Sequence, residues 1–267
     1  MTWLLKKVPC KTFRRNSLAT VIMQLRFHPI LKVKERIADF QELVRPRFPG
    51  FDAIEAQTFE ITSSGMGELH EETVHRFHAV SEPTKVSLGT SAVSIEYGAH
   101  QSRSVLLRDT ETVLSALKAL YAPVVPKRLG IRYVNLINRG QIAAALGRFV
   151  SWRDLLTHDF AKVPGGVAEL DEVTTFLAEV TSPCDRGQMT LRYGIVPDSG
   201  PVAIPAGGAP SSERKFRLDT DRYVEGSFKF DEVRDLASGF VEDIFQVFMT
   251  AAGPALLEWM MEQGELS

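Results

Sequence analysis

The strongest constraint on the fold is a long stretch in which strand-like segments follow one another with only short turns between them. Alternating apolar and polar residues predict strands over 53–61, 73–80 and 84–96, and the last of these holds one or two strands. Short turns join antiparallel neighbours, whereas parallel neighbours need a long crossover connection. The stretch therefore favours an antiparallel sheet and argues against a regular alternation of strands and helices.

The rest of the chain adds strands and helices in the same irregular order. Further strands are predicted over 18–27, 128–138, 187–196 and 215–224. Helices are predicted over 33–45, from a cap at Asp109 or Thr110 to Tyr121, over 141–146 and 152–157, and from a cap at Asp231 onward. The segment 168–179 fits either a helix or a strand. Gly253-Pro254 is expected to kink or split the long C-terminal helix, because proline suits the first turn of a new one.

These elements predict an α+β fold, a mainly antiparallel sheet covered by helices, over the single unit 1–267. Within that class, residues 17–138 and 165–262 could be two diverged, β-rich copies, since each half carries strands followed by a helix. Gly65-Met66-Gly67 is expected to form a turn, and 197–212 a long loop or hairpin, because prolines and glycines interrupt any periodic pattern there.

Composition narrows the classes of function. The chain has 31 basic and 33 acidic residues, for a net charge of −2, which argues against sequence-independent binding of nucleic acid. Two cysteines, Cys10 and Cys184, fit a reducing compartment. We see no secretory signal and no apolar stretch of about 20 residues. The expectation is a cytoplasmic protein that does not enter a membrane.

Two motifs resemble those of a known family. The sequence Gln-Leu-Arg-Phe at 24–27, within 16–31, and Leu-Gly-Ile-Arg-Tyr-Val-Asn at 129–135 are similar to the signatures of a sporadically distributed family of uncharacterised prokaryotic proteins of about this length. Leu218-Asp219-Thr220-Asp221 and the final helix match its later segments, although Ser17 stands where the family pattern has proline. Such families often belong to mobile or defence-linked gene sets, so the resemblance implies a non-catalytic binding or accessory protein with a protein partner.

Strand parity gives the main candidate site, because alternate residues of a strand point to the same face. If the predicted strands are neighbours, one face of the sheet carries several arginines opposite two carboxylates. Those residues are Arg26, Arg132, Arg192, Arg217, Asp219 and Asp221. The face is either an ordinary solvated surface with weak ion pairs or a site for an anionic ligand or nucleic acid, since guanidinium forks suit phosphate and carboxylate groups.

A metal-dependent enzyme is the alternative from a different class. Asp219 and Asp221 lie two residues apart on a strand and could hold a divalent cation. No third acidic ligand on another strand is evident, and Gly207-Gly208 is not followed by a segment long enough for a phosphate-binding helix. We find no motif for a catalytic nucleophile, a zinc site or a cofactor, so ionic pairing within the strand is the simpler interpretation.

The end of the chain is the candidate protein interface. Trp259, Met260 and Met261 follow Pro254 and form an aromatic and methionine cluster. Such clusters are common in cores and also at interfaces, where exposed apolar patches mark docking sites. The final helix is therefore either part of the core or, beyond Pro254, a contact for a partner or second copy. The oligomeric state stays open.

Overall fold

The computed structural model describes Trp3 and residues 7–60, 68–98, 102–197 and 214–261. Side chains are not described for 56–60 and 68–72. The predicted turn at Gly65-Met66-Gly67 and almost all of the predicted loop 197–212 lie outside these residues.

The described residues form nine strands of one sheet, which confirms the α+β prediction. The strands are β1 (Leu18–Phe27), β2 (Gly50–Glu60), β3 (Glu68–His78), β4 (Thr84–Leu88), β5 (Ala92–Tyr97), β6 (Pro126–Asn138), β7 (Ala178–Pro183), β8 (Gln188–Pro197) and β9 (Arg214–Glu225). Their order across the sheet is β2-β3-β4-β5-β1-β6-β9-β8-β7. The strands between residues 50 and 97 follow each other in sequence and pair antiparallel, as short turns require.

Six α-helices accompany the sheet in the described part of the chain. They are α1 (Ile37–Val44), α2 (Arg103–Tyr121), α3 (Arg139–Leu146), α4 (Trp152–Leu155), α5 (Val233–Ala251) and α6 (Pro254–Met261). A 3-10 turn over Leu31–Arg36 precedes α1, and another over Phe230–Glu232 precedes α5. The long C-terminal helix divides where the sequence predicted, because Pro254 opens α6.

The chain separates into two compact units. The first unit comprises residues 1–19, 132–222 and 240–267, and the second comprises 20–131 and 223–239.

In the first unit, one face of the sheet packs on a helical core. Phe216 and Leu218 of β9 and Leu191 of β8 are buried there with Trp152 of α4 and Leu256 of α6. Gly253 lets α6 approach α4 closely, because a Cβ atom at this position would lie 2.6 Å from the carbonyl oxygen of Asp154. Polar residues on these strands are left on the opposite face, since strand residues alternate between faces.

The second unit buries the apolar stripes of α1 and α2 and the inner residues of its strands. Phe40 of α1 packs against Phe77 of β3, with ring centroids 5.3 Å apart. Alternate residues of β4 and β5 are buried, including Val86, Leu88 and Ile95, as the period-two pattern predicted.

The predicted start of α2 is wrong. The helix begins at Arg103, after Ser102, whose hydroxyl accepts a hydrogen bond from the backbone N–H of Val105. Asp109 and Thr110 lie inside the helix and are fully buried. Both residue types are typical N-caps, but Asp109 instead meets an ionic partner within the second unit.

The ambiguous segment 168–179 is neither a helix nor a long strand. It consists of turns and irregular chain until β7 begins at Ala178. Phe176 donates its backbone N–H to the carbonyl oxygen of Ile195, and its own carbonyl packs on Gly194. The backbone of β8 therefore holds this segment in place without regular pairing.

Candidate functional site

Three strands of the first unit present polar residues on the face opposite the helical core. We call this surface the arginine face and define it as Arg132 of β6, Thr190 and Arg192 of β8, and Arg217, Asp219 and Asp221 of β9. Its residues alternate with core residues such as Leu191, Phe216 and Leu218. The sheet order places β6, β9 and β8 side by side, which satisfies the condition that strand parity required.

Asp219 is the centre of this face. Arg132 holds it with a fork in which Nε donates to Oδ1 at 2.7 Å and Nη2 donates to Oδ2 at 2.7 Å. Arg217 donates from Nη2 to the same Oδ2 atom. The Asp219 side chain has no exposed surface. The structure thus brings together three of the six residues predicted from sequence, and bidentate geometry of this kind fixes the orientation of Arg132.

The charges of the three residues support one another. Burial of Asp219 opposes its ionisation, but the hydrogen bonds and positive charges of Arg132 and Arg217 outweigh burial and lower the pKa of the carboxyl. The hydrogen bonds to Asp219 in turn raise the pKa of Arg132, against desolvation and with help from the charges of Asp219 and Asp221. Asp221 adds a second carboxylate whose charge also acts on Arg132, so the two guanidinium groups and the two carboxylates of β6 and β9 balance in formal charge.

Arg192 lies in a separate ion pair on the same face. It pairs with Glu179 of β7, and beside it the hydroxyl oxygens of Thr181 and Thr190 are 2.8 Å apart. Glu179 is a site residue that sequence reasoning missed, because the strand character of β7 is hidden in an ambiguous segment. Arg26 belongs to the second unit and is not one of the residues that hold Asp219.

The outer atoms of the two arginines remain available to a ligand. The side chains of Arg132 and Arg217 are 37% and 30% exposed, in contrast to the enclosed carboxylate between them. Within the described residues, the buried Nε of Arg217 has no hydrogen-bond partner. A guanidinium carries five N–H donors and no acceptor, so the exposed donors that Asp219 does not use suit an anionic group, whereas the buried Nε of Arg217 is not among them.

The same geometry argues against a divalent cation at Asp219 and Asp221. Both oxygens of Asp219 already accept hydrogen bonds from guanidinium groups, and these positive charges would repel a divalent cation. No cluster of three or more metal-ligating side chains occurs in the part of the chain that the structure describes. Asp219 is therefore better placed to orient arginines than to bind a metal ion.

The three residues predicted as a protein interface do not form an exposed cluster. Trp259 and Met260 are buried in the core of the first unit, where they are 6% and 3% exposed. Of the three residues, Met261 alone is exposed, at 54%. Trp259 and Met260 lie on the side of α6 that packs on the core, so they are not free to contact a partner.

Sequence reasoning also missed an ionic network in the second unit, which is centred on the buried carboxylate of Asp109. Asp109 accepts hydrogen bonds from Nε of Arg47 at 3.2 Å and from the hydroxyl of Tyr97 at 3.1 Å, and Arg47 also donates to Glu82 at 2.8 Å. Hydrogen bonds to Asp109 and Glu82 raise the pKa of Arg47. No local pattern could have predicted this network, because its members lie on four separate segments.

Comparisons with known proteins do not test the resemblance to the uncharacterised prokaryotic family, which stays a prediction. The chain matches no protein-family model, and no curated protein matches its sequence. Among the described residues, no helix has both the length and the apolar content needed to cross a membrane.

Proposed function

We propose that this chain is a non-catalytic binding protein that takes up an anionic group, a phosphate or a carboxylate, at the arginine face. The observation that supports this most is the enclosed carboxylate of Asp219 with two partly exposed guanidinium groups fixed on it. Arginines that are already ordered lose less conformational freedom when a ligand binds, which raises affinity. The proposal includes the cytoplasmic location inferred from cysteine usage.

The lowered pKa of Asp219 agrees better with a role in binding than with a role in proton transfer. A general base works best when its pKa lies near the operating pH. The arginines lower the pKa of Asp219, so the carboxylate stays ionised and is a weak base. The metal-dependent enzyme with Asp219 and Asp221 thus has less support than binding, since the carboxylate is already occupied.

The accessory role remains part of the proposal. The anionic group could be carried by a small ligand or by a partner protein. The resemblance to a sporadically distributed prokaryotic family, of a kind often found in mobile or defence-linked gene sets, favours a partner. A shared chemistry underlies both cases, because carboxylate and phosphate oxygens accept the same paired N–H donors.

The test is titration of the protein with pyrophosphate by isothermal calorimetry at constant ionic strength set with sodium chloride. We expect saturable binding, weakened at least 10-fold in Arg132→Gln and in Arg217→Gln, which corresponds to about 1.4 kcal/mol. Arg153→Gln is the matched control, because Arg153 forms an exposed ion pair with Glu169 in the same unit. Equal affinity in all four proteins, or no binding to the wild type, would contradict the proposal.

A further inference from the structure

Strand β7 (Ala178–Pro183) forms an open edge of the sheet in the first unit. It stands last in the strand order, and no other strand of the described residues pairs with its outer side. Glu179, Val180 and Thr181 in its middle are exposed, and Val180 is 45% exposed although it is apolar. An exposed strand edge is a template on which another strand can pair.

The pairing with β8 shows which backbone groups of β7 point outward. The backbone N–H groups of Phe176 and Cys184, on either side of β7, donate toward the β8 side at 3.0 Å and 2.9 Å. The register between these two hydrogen bonds is unbroken. Peptide groups alternate in direction along an antiparallel strand, so those of the even-numbered residues face β8, whereas those of Glu179 and Thr181 face outward.

Strand β7 lacks the usual features that prevent edge-to-edge pairing. Natural edges are protected by lysines, by prolines within the strand or by bulges. The sequence of β7 is Ala-Glu-Val-Thr-Ser-Pro, in which the proline comes last, and its register with β8 contains no bulge. Glu179 is the only charged residue of the strand, and it is paired with Arg192 of the neighbouring strand. This edge can therefore accept another strand.

The side chains of β7 match those of a second copy of β7 in antiparallel orientation. Outward-facing residues must lie opposite outward-facing residues, which limits the possible registers. When Val180 lies opposite Val180 of the copy, Glu179 lies opposite Thr181 of the copy and exchanges both backbone hydrogen bonds with it. Two β-branched side chains then meet where the strands approach most closely, and a carboxylate faces a hydroxyl. A shift by two residues would place Glu179 opposite Glu179 of the copy, which like charges oppose.

We propose that the chain forms a symmetric homodimer in which β7 pairs with β7 of a second copy. The sheet of each first unit then continues into that of the other, and each Val180 is covered by its counterpart. Residues directly opposite each other in a sheet point to the same face, so both arginine faces lie on one side of the joined sheet. The interface is a single pair of short strands, so association is weak and depends on protein concentration. It does not require the proposed anion binding.

The first test is sedimentation velocity of the full chain over roughly 1–200 µM, a range that covers weak association. We expect a reversible equilibrium between monomer and dimer, because one symmetric strand pair closes the assembly at two copies. A monomer at every concentration would contradict the proposal. A larger assembly would contradict it as well.

Variants of the outward-facing edge test which surface associates. Thr181→Pro removes an outward N–H and leaves the groups that pair with β8 in place, so it should weaken association at least about 10-fold. Thr181→Val is the matched control, because it keeps the N–H and loses the same hydroxyl contact with Thr190. It should associate within about threefold of the wild type. Val180→Lys leaves the backbone unchanged and places two like charges opposite each other, so it should abolish the dimer.

Cysteine cross-linking tests the register, in a Cys10→Ser background because Cys10 is exposed. Val180→Cys places two thiols opposite each other at the closely spaced pair, within the separation that a disulfide requires. Thr181→Cys places the two thiols at diagonal positions, which are too far apart. We expect a disulfide-linked dimer from Val180→Cys under mild oxidation and little from Thr181→Cys. Equal cross-linking of the two variants, or a dimer that persists in Val180→Lys, would show that the copies associate through another surface and that the proposal is wrong.

Discussion

Asp109 and Arg47 form a buried ion pair inside the second unit although they are 62 positions apart in sequence. Nε and Nη2 of Arg47 approach Oδ1 and Oδ2 of Asp109, each at 3.2 Å. The side chain of Asp109 is 1% exposed, whereas that of Arg47 is 23% exposed. A carboxylate enclosed in this way is tolerated only because it is paired, so the pair connects α2 to the segment that follows α1.

Removing this carboxylate should destabilise the second unit strongly. We expect Asp109→Ala to lower the free energy of unfolding by about 3 kcal/mol, near the lower end of the range for breaking a buried pair, because water can still reach part of Arg47. Urea denaturation followed by circular dichroism measures the change. Glu169→Ala is the control, since it removes the carboxylate of an exposed ion pair and should cost about 0–1 kcal/mol. An equal loss of unfolding free energy in the two variants would show that the buried ion pair of Asp109 stabilises the fold no more than an exposed one.

The Arg132–Asp219 fork gives the fold a dependence on acid pH. The folded state lowers the pKa of Asp219, so its stabilisation is complete above the unfolded pKa of about 3.9 and is lost as pH falls through the lower, folded pKa. At pH 7 we expect Asp219→Asn to cost about 2 kcal/mol, the scale of hydrogen bonds to charged groups. The difference between wild type and variant in urea unfolding should shrink as pH is lowered from 5 toward 3. A difference that stays constant over this interval would contradict the ionised state of Asp219.

Gly194 is expected to resist any substitution. Its φ of +154° and its contact with the chain beside β8 leave no room for a side chain, because a Cβ atom would lie 2.0 Å from the carbonyl oxygen of Phe176. Gly194→Ala should therefore push the segment before β7 off the sheet and unfold part of the first unit. Gly239→Ala is the matched control, since Gly239 lies in α5 and a Cβ atom there would meet nothing within 4 Å apart from its own helix and chain neighbours.

The two glycine variants should differ in sign. Alanine is favoured over glycine in a helix by about 1 kcal/mol, so Gly239→Ala should raise the melting temperature slightly. Gly194→Ala should lower it by several degrees, as loss of about 1 kcal/mol or more does in a chain of this size. Differential scanning calorimetry of both variants measures the shifts. A neutral Gly194→Ala would mean that the segment around Phe176 does not pack on β8 as described.

Much of this fold could be predicted because its periodic patterns are local. The period-two alternation of β1 defines its faces, and the same period on β6 assigns Arg132 to the face opposite the buried Leu129 and Ile131. That β6 and β9 are neighbours could not be read from the sequence, because Arg132 and Asp219 are 87 positions apart and no turn joins their strands. The sequence thus predicts which residues of each strand share a face. It does not predict the contacts between strands, because these depend on the order of the strands in the sheet.

The wrong helix cap at Asp109 and the open choice between core and interface for the end of the chain also have physical causes. Local preference favours Asp109 as a helix cap, but a buried partner from another segment overrides that preference. Trp259 and Met260 form an apolar cluster in the sequence, and apolar clusters at helical spacing fit a core as well as an interface. In both cases the deciding contact is made with residues far away in the chain.

Tyr121 should give the second unit a dependence on alkaline pH. Burial is the main cause that raises the pKa of this phenol to about 12, with a smaller contribution from Asp39 and an opposing one from Arg36. Its hydroxyl donates to the backbone carbonyl oxygen of Arg36 at 3.2 Å. Because the unfolded phenol ionises near pH 10, the stabilisation from the neutral form is complete below that pH and is lost as pH rises through about 12.

Tyr121→Phe removes both the hydrogen bond and the titration. At pH 8 the variant should be less stable by about 1 kcal/mol, the usual net value of one hydrogen bond. Between pH 10 and 12 the wild type should lose stability relative to the variant, and the gap should close. Urea unfolding at about pH 8, 10 and 11 measures the gap, and the ultraviolet difference spectrum between the two proteins measures the pKa of Tyr121 directly. A midpoint near 10 in that spectrum, or a gap that widens with pH, would show that the phenol is not buried against α1 and its preceding turn.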